Sequence, residues 1–153
     1  MSASHLPEGY HSVTPSLTAR DAKAAIDFYI RALGAELKFK LDDPSGKIAH
    51  AEIQIGNSRL MISDEYPDYG ALAPEIGKGA TFMIYVPDVD AAFAKAVAAG
   101  ATAVQEPTDM FWGDRAGRIH DPIGYRWTLA THVRDVSPEE MDAAMKAWGE
   151  GTC

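Results

Sequence analysis

The chain has one cysteine in 153 residues, Cys153 at the last position. An intrachain disulfide is therefore excluded, and the expected setting is reducing and cytoplasmic. No apolar run approaches the ~20 residues that a membrane-spanning helix requires. The opening MSASHLPEGYHSV lacks an apolar segment of the secretory type. Positive charge is also scarce: 14 Lys and Arg stand against 22 Asp and Glu, a net charge of −8 with no basic stripe. A field of that sign repels phosphate backbones and anionic bilayers, so neither nucleic acid nor membrane is an expected partner. The remaining composition, 46% hydrophobic and 24% charged, is that of a globular domain. A chain of this length buries about 68–70% of its unfolded surface and needs no staples.

An internal repeat organises what is present. Asp21 precedes AKAAIDFYIRAL and Gly34 follows it; Asp88 precedes VDAAFAKAVAA and Gly100 follows it. Each run reads as an Asp N-cap, an amphipathic helix and a glycine stop. Ile26, Tyr29, Ile30 and Leu33 fall on one face of the first, and Ala92, Phe93, Ala96 and Val97 on one face of the second. The offset between the glycines also aligns Ala35 with Ala101, Glu52 with Arg118 and Gly56 with Pro122. Around the helices lie β-rich stretches at 12–17, 36–41, 47–55 and 58–63, then at 80–86, 102–107, 115–121 and 125–131. Turn residues separate them at 43–46, 56–57 and 121–124. The expected fold is α+β: two tandem βαβββ modules with curved mixed sheets around a concave pocket. The first module spans 11–63, a Pro/Gly-rich linker 64–79 and the second module 80–132. A short C-terminal helix and tail at 133–153 open on Ser137-Pro138-Glu139-Glu140 as a capping box.

Alternation divides each strand into two faces. Ala51, Ile53 and Ile55, with Phe82, Ile84, Val86, Ile119, Trp127 and Leu129, belong under the helices. The opposite face carries His50, Glu52, Gln54, Thr81, Tyr85, Arg118, His120, Arg126, Thr128 and Ala130, with Met61 and Met83. An antiparallel sheet with one solvated face gives the same alternation. The two methionines, and loop aromatics Phe111, Trp112, Tyr66 and Tyr69 as walls, point instead to a pocket.

Several motifs carry a family resemblance. FYIRALG (28–34), PDVDAAFAKAVAAGA (87–101) and DPIGYRW (121–127) resemble the vicinal oxygen chelate superfamily, the glyoxalase, bleomycin-resistance protein and extradiol dioxygenase group. WGDRAGRIHDP (112–122) and DVSPEEM (135–141) resemble its PhnB-like branch, and the likeness runs over residues 11–148. It implies paired βαβββ modules assembled as a homodimer. In metal-dependent members each module supplies one ligand from its first strand and one from its last. The matching positions here are Thr14 and Met61, then Thr81 and Thr128, none a usual ligand for a divalent cation.

Two functions follow as expectations. The first is metal-free binding of a small organic ligand, flat and partly cationic, by Tyr85, Phe111, Trp112 and Thr128 with Glu52; Arg118 and Arg126 offer a variant in which a carboxylate or phosphate is held. No cofactor is expected in that case. The second is an enzyme of glyoxalase or dioxygenase type, with a displaced divalent metal or an acid/base set on His50, Glu52 and His120. Asp114 and Arg115 read as a loop salt bridge or as a gate beside Trp112, Tyr125 as local packing, and His132 receives no role.

Overall fold

The computed structural model describes residues 3–149; Cys153 lies outside them. The first half forms β1 (Ser16–Ala19), α1 (Ala22–Leu33), β2 (Glu36–Asp42), β3 (Ile48–Ile55) and β4 (Ser58–Asp64). The second forms β5 (Thr81–Tyr85), α2 (Val89–Ala98), β6 (Thr102–Asp109), β7 (Asp114–His120) and β8 (Arg126–His132), and α3 (Pro138–Gly149) follows. Each half folds into a four-stranded mixed sheet, ordered β1-β4-β3-β2 and β5-β8-β7-β6. In each, the strand before the helix pairs in parallel with the last strand of its half.

The caps match the expected chemistry. Asp21 accepts from Ala24 N and Asp88 from Ala91 N, and Gly34 ends α1 at φ 68, a conformation open to glycine. At the start of α3 the Ser137 hydroxyl accepts from Glu140 N, the N-cap half of the expected box, and donates to the Glu140 carboxylate.

Three local expectations are corrected. β1 begins at Ser16 rather than at 12, because Pro15 has no N–H to donate; its carbonyl still accepts from Met61 N. Ile30 is exposed and Phe28 buried, since α1 packs on α2 as well as on its sheet and Phe28 turns toward Gly100 at the end of α2. Val97 is exposed, and Val89 takes its place in the buried set of α2.

One core serves both halves. Ile53, Ile62, Ile119 and Leu129 are buried under the helices, each contributing about 1.5–3 kcal/mol by burial. At the centre is Asp121, 1% exposed. Its Oδ1 accepts from Ile123 N, Gly124 N and Tyr125 N at 2.8–2.9 Å. Its Oδ2 accepts from the Tyr29 hydroxyl at 2.6 Å and from Trp127 Nε1 at 2.7 Å. A turn carboxylate of the second half thus holds a helix residue of the first. Burial and the adjacent Asp121 carboxylate push the Tyr29 phenol far up, so it stays a donor. Tyr125, expected to pack locally, also crosses between the halves, with its hydroxyl accepting from Thr18 N at 2.9 Å.

Removing Tyr29's hydroxyl takes one charge-assisted bond from Asp121, whereas removing the carboxylate orphans five donors. Tyr29→Phe should cost about 1.5–3 kcal/mol and Asp121→Ala more, in a single cooperative urea transition. An Asp121→Ala protein within ~0.5 kcal/mol of the parent, the range of a neutral surface change, would remove Asp121 from this role.

Candidate ligand-binding face

The helices back both sheets and touch each other, and no strand of one sheet pairs with a strand of the other. Each sheet's second face lies on the side away from its helix. The face of the second sheet forms a cavity of about 390 Å³. Met83, Met110 and Trp112 make its apolar wall, while Arg118, His120, Arg126 and Thr128 supply polar groups. The register explains the grouping: Met83 pairs with Thr128, Thr128 with Arg118, and Arg126 with His120.

Trp112 is held by its loop. Met110 N donates to Asp114 O at 2.7 Å, and Val133 N and Arg134 N donate to Gly113 O at 2.9 and 3.1 Å. Gly113 has φ +104, and a Cβ there would stand 2.1 Å from Arg134 O, so only glycine allows this approach. Phe111 packs edge-on against Trp112 with ring centroids 5.1 Å apart; it supports the wall rather than lining the cavity. Tyr66 and Tyr69 are not walls. Tyr66 donates to Asp43 at 2.7 Å, clipping the linker to the turn between β2 and β3, and Tyr69 points into solvent.

Tyr85 lines a second groove, about 720 Å³, between β5 and the segment from His11 to Pro15. Its hydroxyl donates to the buried Asp114 carboxylate at 3.0 Å. Asp114 does not pair with Arg115, which alternation sends to the helix side, where it bonds Asp90 and Asp109. Asp114 instead meets His132 Nδ1 at 2.8 Å, and His132 Nε2 meets Asp135 at 2.7 Å. Extending the alternation of β7 and β8 by one step each puts Asp114 and His132 on this face.

The first sheet's open face holds a different set. Glu52 accepts from the Tyr10 hydroxyl, lies 3.1 Å from His50 Nε2 and stands 3.9 Å from Arg59. Burial, then the bond to Glu52, pushes the Tyr10 phenol up to about 12. The Tyr10 bond, followed by His50 and Arg59, holds the Glu52 carboxyl below its usual range. Tyr10 and Arg59 carried no sequence signal: Tyr10 precedes the first strand, and Arg59 lies just past a hairpin turn. Glu52 does not pair with Arg118, though the two occupy matching positions opposite Met61 and Thr128. His120 is in the other sheet from His50 and Glu52. Among the described residues, no group of three His, Cys, Asp or Glu side chains is placed to hold a metal ion.

Residues 10–129 match the family model of the glyoxalase/bleomycin resistance protein/dioxygenase superfamily. The chain belongs to this superfamily. An uncharacterized protein of Mycobacterium tuberculosis is 38% identical over 145 residues, covering 92% of this chain and 85% of its own length. The crystal structure of TioX from a Micromonospora species superposes with a TM-score of 0.66 at 27% identity, over 86% of this chain and all of that one. TnmS3 from a Streptomyces species, described as an antibiotic binding protein, shares the fold at 22% identity and a TM-score of 0.61, over 86% and 98%.

Both ring nitrogens of His132 donate to carboxylates only as the imidazolium. The Asp135 bond, then the Asp114 bond, raise its pKa above the usual 6.5. A folded pKa above the unfolded one gives stabilisation that is complete below ~6.5 and fades as pH rises through the folded value. The urea-midpoint gap between the parent and His132→Gln should therefore be widest at pH 6 and narrow as the pH rises. A gap that is constant or widens with pH would contradict the imidazolium.

Proposed function

We propose that this protein binds a small organic ligand on the open sheet face without a metal, as a homodimer of the PhnB-like branch. The cavity beside Trp112 carries the reading: its volume suits a small ligand, and it joins an apolar wall to a few convergent polar groups. The family's metal-ligand positions support it. Three of them are hydroxyls, Thr14, Thr81 and Thr128, and the fourth is the Met61 thioether; such a set does not fit a hard or borderline divalent cation. Thr14 is moreover bonded to His11 O at 3.2 Å. TnmS3, which shares the fold, offers a precedent for binding.

Exposed apolar groups support the homodimer. Phe39 and Leu41 stand 48% and 54% exposed beside Glu52 and His50 on one open face, and Met83 stands 48% exposed on the other. A second copy is the simplest cover for both faces.

A second reading rests on the His50–Glu52 contact: an imidazole hydrogen-bonded to a carboxylate on the open face is a general acid/base pair. His120 joins it if the faces of two chains close on each other.

Thermal-shift measurements against a library of flat aromatic compounds, in buffer with a metal chelator, test the primary reading. Some members should raise Tm, and Trp112→Ala should abolish the shifts. A parent protein that no compound stabilises, or a Trp112→Ala protein that keeps every shift, would overturn it. Sedimentation at twice the chain mass is expected; a monomer at all concentrations would remove the dimer.

A further inference from the structure

We propose that the second-sheet cavity selects an organic anion, a flat aromatic group bearing a carboxylate, with Arg118 as its principal partner. The inference rests on the binding reading above and gives the ligand its charge.

The positive charge on this face is uncommitted. Five of the seven arginines are spent elsewhere: Arg20 and Arg31 on carbonyls, Arg59 on Gln54, Arg115 on Asp90 and Asp109, and Arg134 on Phe111 O and Glu140. Among the described residues, the Arg126 side chain uses only Nε, donated to Gly79 O at 3.0 Å, and its terminal nitrogens meet no acceptor. The Arg118 guanidinium has no hydrogen bond or ion pair among the described residues, and it lines the cavity. Among the described residues, no Asp or Glu lines that cavity. Asp114, further along the same strand, is occupied by Tyr85 and His132.

The negative charge on the other face is committed. Glu52, at the position matching Arg118, is held by Tyr10, His50 and Arg59. A cationic ligand would have to displace those donors, while an anion meets an open guanidinium. The molecule's net charge of −8 gives no long-range attraction for anions. Selection must be local, through paired N–H donors that match a planar carboxylate. Trp112 supplies a ring for the ligand's aromatic part, and Met83 and Met110 fill around it.

Naphthalene-2-carboxylate, naphthalene-2-carboxamide and 2-naphthylmethylammonium share a ring system and differ in charge, so calorimetric titration of the full chain with all three separates charge from shape. The carboxylate should bind at least about tenfold more tightly than the other two. Arg118→Met should erase that preference and Arg118→Lys restore part of it, with the circular dichroism of each variant unchanged. Equal binding of all three, lost in Trp112→Ala, would overturn the anion assignment and leave the binding face standing. Persistence of the preference in Arg118→Met would overturn the role of Arg118. No binding by any of the three would overturn the anion assignment, and only silence from the wider aromatic library would take the binding face with it.

Discussion

A buried carboxylate with five donors sets the architecture. Asp121 organises the turn between β7 and β8 with one oxygen and receives Tyr29 of α1 and Trp127 of β8 with the other. A buried ion of this kind is costly unless every lone pair is met, and here the donors come from both halves of the chain. The halves are therefore coupled through polar complementarity as well as through apolar packing. Tyr29 and Trp127 also meet edge-on, with centroids 5.7 Å apart, so the same two side chains serve core and carboxylate. With the helices fixed on the inside, each sheet presents its alternate residues outward.

That division decides what the open faces can do. Duplicated backbones place different side chains at matching positions: Glu52 and Arg118 face the same way from equivalent strands, with opposite charge and different fates. Glu52 sits in a network of donors, and the Arg118 guanidinium meets no acceptor among the described residues. Thr131 and Asp64 show the same divergence nearer the helices. The Asp64 carboxylate accepts from Ala22 N at the start of α1, and the Thr131 hydroxyl accepts from Val89 N at the start of α2. The two halves solve one capping problem with different chemistry, so the repeat constrains backbone geometry more tightly than side-chain function.

Much of the fold was legible in the sequence because its signals are local. Asp21, Gly34, Asp88 and Ser137 act within a turn of themselves, and the period-two alternation of β3 and β8 needs only one buried face. Placement of His50, Glu52 and Arg118 on the open faces followed from that alternation, and Trp112 was read as an aromatic wall from its loop. What could not be read depends on contacts between distant segments. Tyr10 reaches Glu52, and Tyr125 reaches Thr18, across separations that no periodicity encodes. Asp114 looked like a partner for its neighbour Arg115, yet adjacent residues in a strand point to opposite faces. Pro15 delayed the first strand, and packing between the helices buried Phe28 where a single stripe would have chosen Ile30.

The proposed binding requires ligands to meet the face of the second sheet turned away from the helices. Mapping amide and indole NMR shifts during titration with naphthalene-2-carboxylate tests this most directly. The largest changes should fall on Thr81, Met83, Arg118, Thr128 and the Trp112 indole, with α1 unmoved. Changes concentrated on the helices, or spread evenly over both sheets, would contradict it.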